Sequence, residues 1–134
     1  MDFRFILTEA KHNEGHWTVL IRNGSNFEYF DSYSDSPKSI LDFIPKYMNK
    51  QLANNWSQDL GKIIGSIKKT DNFLYNKYPL QQEMVGINTC GRWCILRVAT
   101  FLKESLDNKQ CVSYIKKQQR KVNKPFDEVI CMFV

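Results

Sequence analysis

A chain of 134 residues is long enough for one domain and too short for two of ordinary size. Its composition, 43% hydrophobic and 25% charged, is typical of a globular protein and argues against a disordered tail, a collagen-like repeat or a disulfide-dense secreted module. Lysine and arginine number 19 and aspartate and glutamate 14, so the net charge of +5 permits a polyanionic partner without requiring one. We therefore expect a single domain covering residues 1–134.

No segment has the pattern of a targeting signal or a membrane span. The N-terminal apolar run at 3–7 contains Arg4 and is too short for a signal-peptide core, and no apolar window of 18 residues occurs. The four cysteines form no CxxC pair and are too sparse for a disulfide scaffold: Cys90, Cys94, Cys111 and Cys131. We expect a protein with free thiols that is not secreted and has no membrane partner.

Strands are predicted early in the chain and helices late. β-branched and aromatic residues favour strands at 3–7, 17–22 and 26–31, and Asn23-Gly24 between the last two is a strong hairpin signal. Apolar and capping patterns then predict, in chain order, a helix over 36–52, a strand over 60–69, a strand and loop over 72–82, a helix from Cys90 to about Ser105 and a basic helix over Lys109–Val122. The apolar segment after Pro125 receives no assignment. This order indicates an α+β domain.

The hairpin places a histidine beside a carboxylate. If Asn23 and Gly24 are the two loop residues, His16 lies directly opposite Asp31 on the same face of the antiparallel pair. A carboxylate at this position orients an imidazole and stabilises its protonated form. The structural alternative is an exposed His–Asp pair that contributes little.

Cys90 lies where a helix is predicted to begin. Asn88 or Thr89 can cap that helix, and the unpaired N–H groups and positive dipole end of the first turn favour a thiolate. Gly91 leaves the backbone beside the sulfur open to a substrate carbonyl. Core packing is the structural alternative for Cys90, and it is our interpretation of Cys94, one turn further on.

The chain contains residues suited to each role in a site with a cysteine nucleophile. Such a site needs a base, a group that orients the base and a donor to the oxyanion. His16, Asp31 and Cys90 suit the first roles, and Gln81 or Gln82, in the loop before Cys90, can supply a side-chain amide.

The motifs His16-Trp17, Asp31-Ser32-Tyr33, Leu80-Gln81 and 88–94 (NTCGRWC) together resemble the adenain/Ulp1-like (clan CE) cysteine proteases. The resemblance is strongest to the versions found in large DNA viruses, virophages and Polinton-type elements. It covers 15–106 and implies a small mixed β-sheet whose N-terminal hairpin packs on a central helix that starts at the catalytic cysteine.

The resemblance also implies roles for individual residues. His16 would be the general base, Asp31 its partner, Cys90 the nucleophile and Gln81 the oxyanion donor, with Gln82 as the alternative. The Trp that follows the catalytic His in the family is Trp17, which would form a wall of the site near the imidazole.

The implied function is that of a viral maturation endopeptidase that cleaves capsid or core precursor proteins in the virion, the host-cell cytoplasm or a viral factory. No cofactor is required by the sequence, although family resemblance suggests a DNA or peptide activator. A deubiquitinase or deSUMOylase-like isopeptidase on the same fold is the alternative.

The sequence also allows two interpretations in which the chain is not a peptidase. The basic run at 116–124 is compatible with nonspecific DNA or RNA contact through Lys116, Lys117, Arg120 and Lys121, but a solvated helix face is the structural alternative that we favour for the run by itself. A nonenzymatic nucleic-acid-binding module is therefore the alternative from a different class. A zinc site can be drawn from His12, His16, Cys90 and Cys94, but its HxxxH spacing requires a helix where a loop and strand are predicted. We therefore expect no metal.

Overall fold

The computed structural model describes residues 2–11, 14–34, 73–82, 84 and 86–134. In this part of the chain, four strands form one mixed sheet in the order β1-β2-β3-β4. The strands are β1 (Asp2–Lys11), β2 (Glu14–Asn23), β3 (Asn26–Phe30) and β4 (Phe73–Tyr75). The first three are antiparallel neighbours, whereas β4 is parallel to β3. The described residues are therefore an α+β arrangement with a small mixed sheet, as the sequence predicts.

The hairpin register differs from the prediction by two residues. Asn23 pairs with Asn26, so the loop residues are Gly24 and Ser25 rather than Asn23 and Gly24. Gly24 has a φ of +62° at the first loop position, where a type II′ turn has its glycine. The sequence prediction placed this glycine second, as in a type I′ turn. A shift of two positions keeps every side chain on the same face of the sheet, because side chains alternate with a period of two.

Three helices follow the sheet among the described residues. They are α1 (Cys90–Glu104), α2 (Asn108–Val122) and α3 (Phe126–Phe133). The first two agree with the predicted helices to within one residue at each end. Asp107 begins α2 with a capping box, in which its carboxylate accepts the Gln110 N–H and the Gln110 side chain accepts the Asp107 N–H. The unassigned apolar segment after Pro125 is α3.

The core lies between the sheet and the helices. The central cluster of buried apolar side chains comprises Val19, Ile21, Phe30, Leu80, Trp93, Cys94, Val98, Cys111, Ile115 and Ile130. Because its members come from β2, β3 and all three helices, burying them fixes α1 against the sheet. The start of α1 is thereby held next to the open end of the β2–β3 hairpin.

A buried ion pair and an amide hydrogen bond join β3 to α1 and α2. Arg97 of α1 donates to both carboxylate oxygens of Glu28 in β3, at 2.7 and 2.8 Å, and the Asn108 amide donates to the same carboxylate at 3.0 Å. Arg97 is 1% exposed and Glu28 is 8% exposed. Such a bidentate pair fixes relative orientation as well as charge.

Two predicted elements, the helix over 36–52 and the strand over 60–69, lie outside the described residues. Over 72–82, a short strand at β4 followed by irregular chain is confirmed for the described positions. In the part of the chain that the structure describes, no helix is long and apolar enough to cross a membrane.

Candidate active site

His16 and Asp31 form a buried pair at the end of the hairpin. His16 Nε2 lies 2.8 Å from Asp31 Oδ1, and the two residues are 7% and 1% exposed. In the observed register, extrapolated one pair beyond the ladder, Asp31 stands diagonally across from His16 rather than opposite it. The predicted pair therefore forms although the predicted register is wrong, since both registers keep the two side chains on one face.

The backbone of Asp31 is fixed by an asparagine that follows β4. Asn76 Oδ1 accepts the Asp31 N–H at 2.8 Å, and Asn76 Nδ2 donates to the Asp31 carbonyl at 2.6 Å. Asn76 is 1% exposed, and its amide satisfies both backbone groups of Asp31 just beyond the last β3–β4 pair. The carboxylate that orients His16 is therefore attached to a rigid backbone.

Cys90 is the first residue of α1, and its sulfur faces β2. The Trp17 N–H donates to Cys90 Sγ at 3.4 Å, and His16 makes a side-chain hydrogen bond with the same sulfur. One turn later, the Cys94 thiol donates to the Trp17 carbonyl at 3.4 Å. The two cysteines thus attach α1 to both sides of one residue of β2. Because Nε2 of His16 is bonded to Asp31, Nδ1 is the ring nitrogen left for Cys90.

Hydrogen bonds and nearby charges reverse the effect of burial on the pKa values of His16 and Cys90. Burial by itself lowers the pKa of His16, but its hydrogen bonds and charge interactions with Asp31 and Cys90 raise that pKa to about 9. Burial by itself raises the pKa of Cys90, but hydrogen bonds from His16 and the Trp17 N–H lower it below the ordinary value of a thiol. Both shifts favour a thiolate–imidazolium pair.

Two aromatic residues flank the pair, one beside His16 and the other beside Cys90. The ring stacked on the His16 imidazole is that of Tyr33, with centroids 4.6 Å apart and planes 15° apart. Trp17 lies against Gly91 instead, where an added Cβ would stand 3.4 Å from the indole Cδ1. Trp17 is 39% exposed and so forms a solvent-facing wall next to Cys90.

Gln81 is the buried one of the two candidate oxyanion donors. It is 5% exposed, whereas Gln82 is exposed. Gln81 Oε1 accepts the Ser32 hydroxyl at 2.7 Å, and Gln81 Nε2 donates to the Tyr33 hydroxyl at 3.2 Å and to the Ile87 carbonyl at 3.3 Å. The amide is therefore connected to His16 through the Tyr33 ring.

Thr89 occupies the N-cap position of α1, but its hydroxyl does not cap the helix. Thr89 has φ −97° and ψ 0° and makes no side-chain capping bond. Its hydroxyl donates instead to Asp127 Oδ1 at 2.5 Å, and Asp127 Oδ2 accepts the Gln82 N–H at 3.0 Å. A carboxylate of α3 thus contacts both ends of the loop that precedes Cys90.

Sequence reasoning assigned no role to three residues around this site: Tyr33, Asn76 and Asp127. Tyr33 lies within a quoted motif, but the position of its ring could not be derived from strand alternation, because β3 ends at Phe30 and Tyr33 lies in the turn that follows. Asn76 and Asp127 are distant in sequence from their partners and belong to no motif, so no local signal marks them.

The four basic residues predicted to contact nucleic acid lie on α2. Lys117, Arg120 and Lys121 are exposed, whereas the Lys116 ammonium lies 3.8 Å from the centre of the Tyr78 ring and is partly buried. Among the described residues, no group of three or more His, Cys, Asp or Glu side chains could hold a metal ion. His12 of the zinc alternative lies outside them.

No protein-family model matches the chain, and no solved structure matches it. It is 35% identical over 94 residues to a protein of the Sputnik virophage called Uncharacterized protein V9. The match covers 69% of this chain and 52% of that protein, so the chain spans about half the length of the curated relative it matches. This chain is therefore related to a virophage protein.

Proposed function

We propose that this chain is a cysteine endopeptidase that cleaves structural precursor proteins during assembly of a virus particle. The observation that carries the proposal is the cluster of Cys90, His16 and Asp31, in which a lowered thiol pKa and a raised imidazole pKa coincide. Perturbed titratable groups of this kind concentrate at catalytic sites. The virophage relative supports the viral setting.

The proposed reaction forms a thioester at Cys90 and then hydrolyses it, with His16 transferring the protons. The Cys90 thiolate attacks a peptide carbonyl, which forms a sulfur–carbon bond and places negative charge on the oxygen. The His16 imidazolium then gives its proton to the leaving amine as the carbon–nitrogen bond breaks. Water, deprotonated by His16, attacks the thioester and releases the acid and the Cys90 thiolate. Asp31 stabilises the imidazolium throughout.

The oxyanion is assigned to the backbone N–H of Cys90 and the amide of Gln81. The Cys90 N–H lies in the first turn of α1, where N–H groups have no acceptor within the helix. Gln81 already donates to the Tyr33 hydroxyl and the Ile87 carbonyl, so binding an oxyanion requires it to exchange one of these acceptors. Its burial favours it over Gln82 for this role.

Co-expression with the structural proteins of the same genome tests the proposal. Wild type and Cys90→Ser are compared by sequencing new N-termini, with Cys131→Ser as the matched control, because it removes an exposed thiol. We expect cleavage by wild type and Cys131→Ser and none by Cys90→Ser. Absence of Cys90-dependent cleavage would overturn the maturation role, and labelling of Cys90 by a ubiquitin or SUMO vinyl sulfone would favour the isopeptidase alternative.

A further inference from the structure

One carboxylate connects the two halves of the candidate site. The Asp127 oxygens accept the Thr89 hydroxyl at 2.5 Å and the Gln82 backbone N–H at 3.0 Å. Thr89 directly precedes the candidate nucleophile, and Gln82 directly follows the candidate oxyanion donor. Asp127 comes from α3, 37 positions beyond Cys90 in the sequence.

The described residues between Gln81 and Cys90 make few hydrogen bonds among themselves. Residues 82–89 separate Gln81 from Cys90, and this loop contains Gly86 at a φ of +88°. Its described internal hydrogen bonds are the Ile87 N–H to the Met84 carbonyl, at 3.1 Å, and the Gln81 amide to the Ile87 carbonyl. A nucleophile and an oxyanion donor must be held to within about 0.5 Å of their productive geometry.

We propose that Asp127 is a positioning residue that sets the distance between the Gln81 amide and Cys90. The inference rests on the proposed function, because it assumes those two roles. Asp127 does not touch the reacting atoms and acts through Thr89 on one side and Gln82 on the other. The short helix α3, which resembled no motif, thereby becomes part of the catalytic framework.

A pair of small reagents separates this role from a merely structural one. With p-nitrophenyl acetate, the Cys90 sulfur bonds to the acetyl carbon through an oxyanion, and p-nitrophenolate leaves. With iodoacetamide, the sulfur bonds to the methylene carbon and iodide leaves, with no oxyanion formed. The ratio of acylation to alkylation rates at Cys90 therefore reports on the oxyanion donors alone. Neither reagent requires the natural substrate.

The comparison is made in Cys131→Ser protein, so that the exposed thiol does not react. We expect Asp127→Ala to lower the acylation rate about 10- to 100-fold and to leave alkylation unchanged. Asp127→Asn retains most of the acylation rate, because its oxygen accepts the Gln82 N–H and its NH₂ donates to the Thr89 hydroxyl. Glu128→Ala is the matched control, since this neighbouring carboxylate contacts the exposed Lys124 at 3.9 Å.

Two further variants test whether Asp127 acts through Thr89 and on the Gln81 amide. Thr89→Val removes one of the two bonds without changing side-chain shape, and it is expected to lower acylation by part of the Asp127→Ala loss. In a Gln81→Ala background, Asp127→Ala is expected to add no further loss, because the donor that it positions is absent. If Asp127→Ala does not fold, Thr89→Val takes its place as the variant that loses a hydrogen bond, and Asp127→Asn remains the variant that keeps both.

The inference is overturned if the removal of these bonds leaves acylation unchanged, or lowers acylation and alkylation in proportion. Failure of the proposed function has a different outcome. If Asp127→Ala slows acylation selectively but no viral protein is cleaved by wild type, the positioning role stands and the maturation role does not. A wild-type Cys90 that reacts with neither reagent would overturn both.

Discussion

At the scale of single residues, the hydrogen bonds from His16 and the Trp17 N–H distinguish Cys90 from the other two buried thiols. Cys90, Cys94 and Cys111 are all buried, at 7%, 0% and 1% exposure. Burial raises the pKa of Cys94 and Cys111, whereas His16 and the Trp17 N–H reverse this effect at Cys90. Two buried cysteines are therefore expected to be inert packing residues, and the third is expected to be a nucleophile.

Asp31→Asn is predicted to lower the pKa of His16 from about 9, because it removes the charge that favours the imidazolium. NMR titration of the ring protons measures this directly, since the chain has two histidines and His12→Gln identifies the other. Folding raises the pKa of His16 above its usual 6.5, so its protonation stabilises the fold. That contribution is complete below pH 6.5 and disappears as the pH rises through about 9. A His16 pKa that Asp31→Asn leaves unchanged would contradict the assignment.

At the scale of secondary-structure elements, α1 is held at two places along its length. Its first two turns are attached to β2 through the contacts of the Cys90 and Cys94 sulfurs with Trp17. One turn beyond Cys94, Arg97 is paired with Glu28 of β3. These contacts fix the direction of the helix that begins at Cys90.

Arg97→Leu is predicted to lower the free energy of unfolding by about 3 kcal/mol, because it leaves the Glu28 carboxylate buried without its cation. The double variant Arg97→Leu/Glu28→Leu should lose less free energy of unfolding than the sum of the losses in Arg97→Leu and Glu28→Leu. Lys124→Ala, which breaks an exposed pair with Glu128, is the control and should change stability by less than about 0.5 kcal/mol. Urea denaturation measures all four variants, and strictly additive losses at Arg97 and Glu28 would contradict the coupling.

The elements differ in how well local sequence predicts them. Apolar periodicity and capping residues are local, so they located α1 and α2 to within a residue. The hairpin register depends on whether Gly24 is the first or the second loop residue, which the dipeptide Asn23-Gly24 does not specify. The His16–Asp31 pair was still predicted, since a shift of two preserves the face. The contacts of Asp127 could not be predicted, because they depend on how α3 packs against a distant loop.

At the scale of the whole molecule, the net charge of +5 is unevenly distributed. Helix α2 carries five basic residues and no acidic one. Lys116 is partly used in packing on Tyr78, which leaves Lys117, Arg120 and Lys121 as the exposed basic group within its last two turns. DNA contact at this face stays a prediction of the sequence, now centred on three residues.

Changing Lys117, Arg120 and Lys121 together to glutamine is predicted to weaken binding to double-stranded DNA. If each contacts one phosphate, the slope of log affinity against log salt concentration should become shallower by about 2.7. Fluorescence anisotropy over a salt series measures this slope, with Lys103→Gln on α1 as the control for loss of an exposed charge. An unchanged slope would place any DNA contact elsewhere.

The pH dependence of Cys90 alkylation by iodoacetamide tests most directly the central claim that Cys90 and His16 form a thiolate–imidazolium pair. In Cys131→Ser protein, we expect an inflection below the ordinary value of a thiol, because the pKa of Cys90 is lowered. His16→Ala should raise the inflection, since the largest of the interactions that oppose burial at Cys90 is then lost. An inflection at or above the ordinary value of a thiol that His16→Ala does not change would contradict the claim.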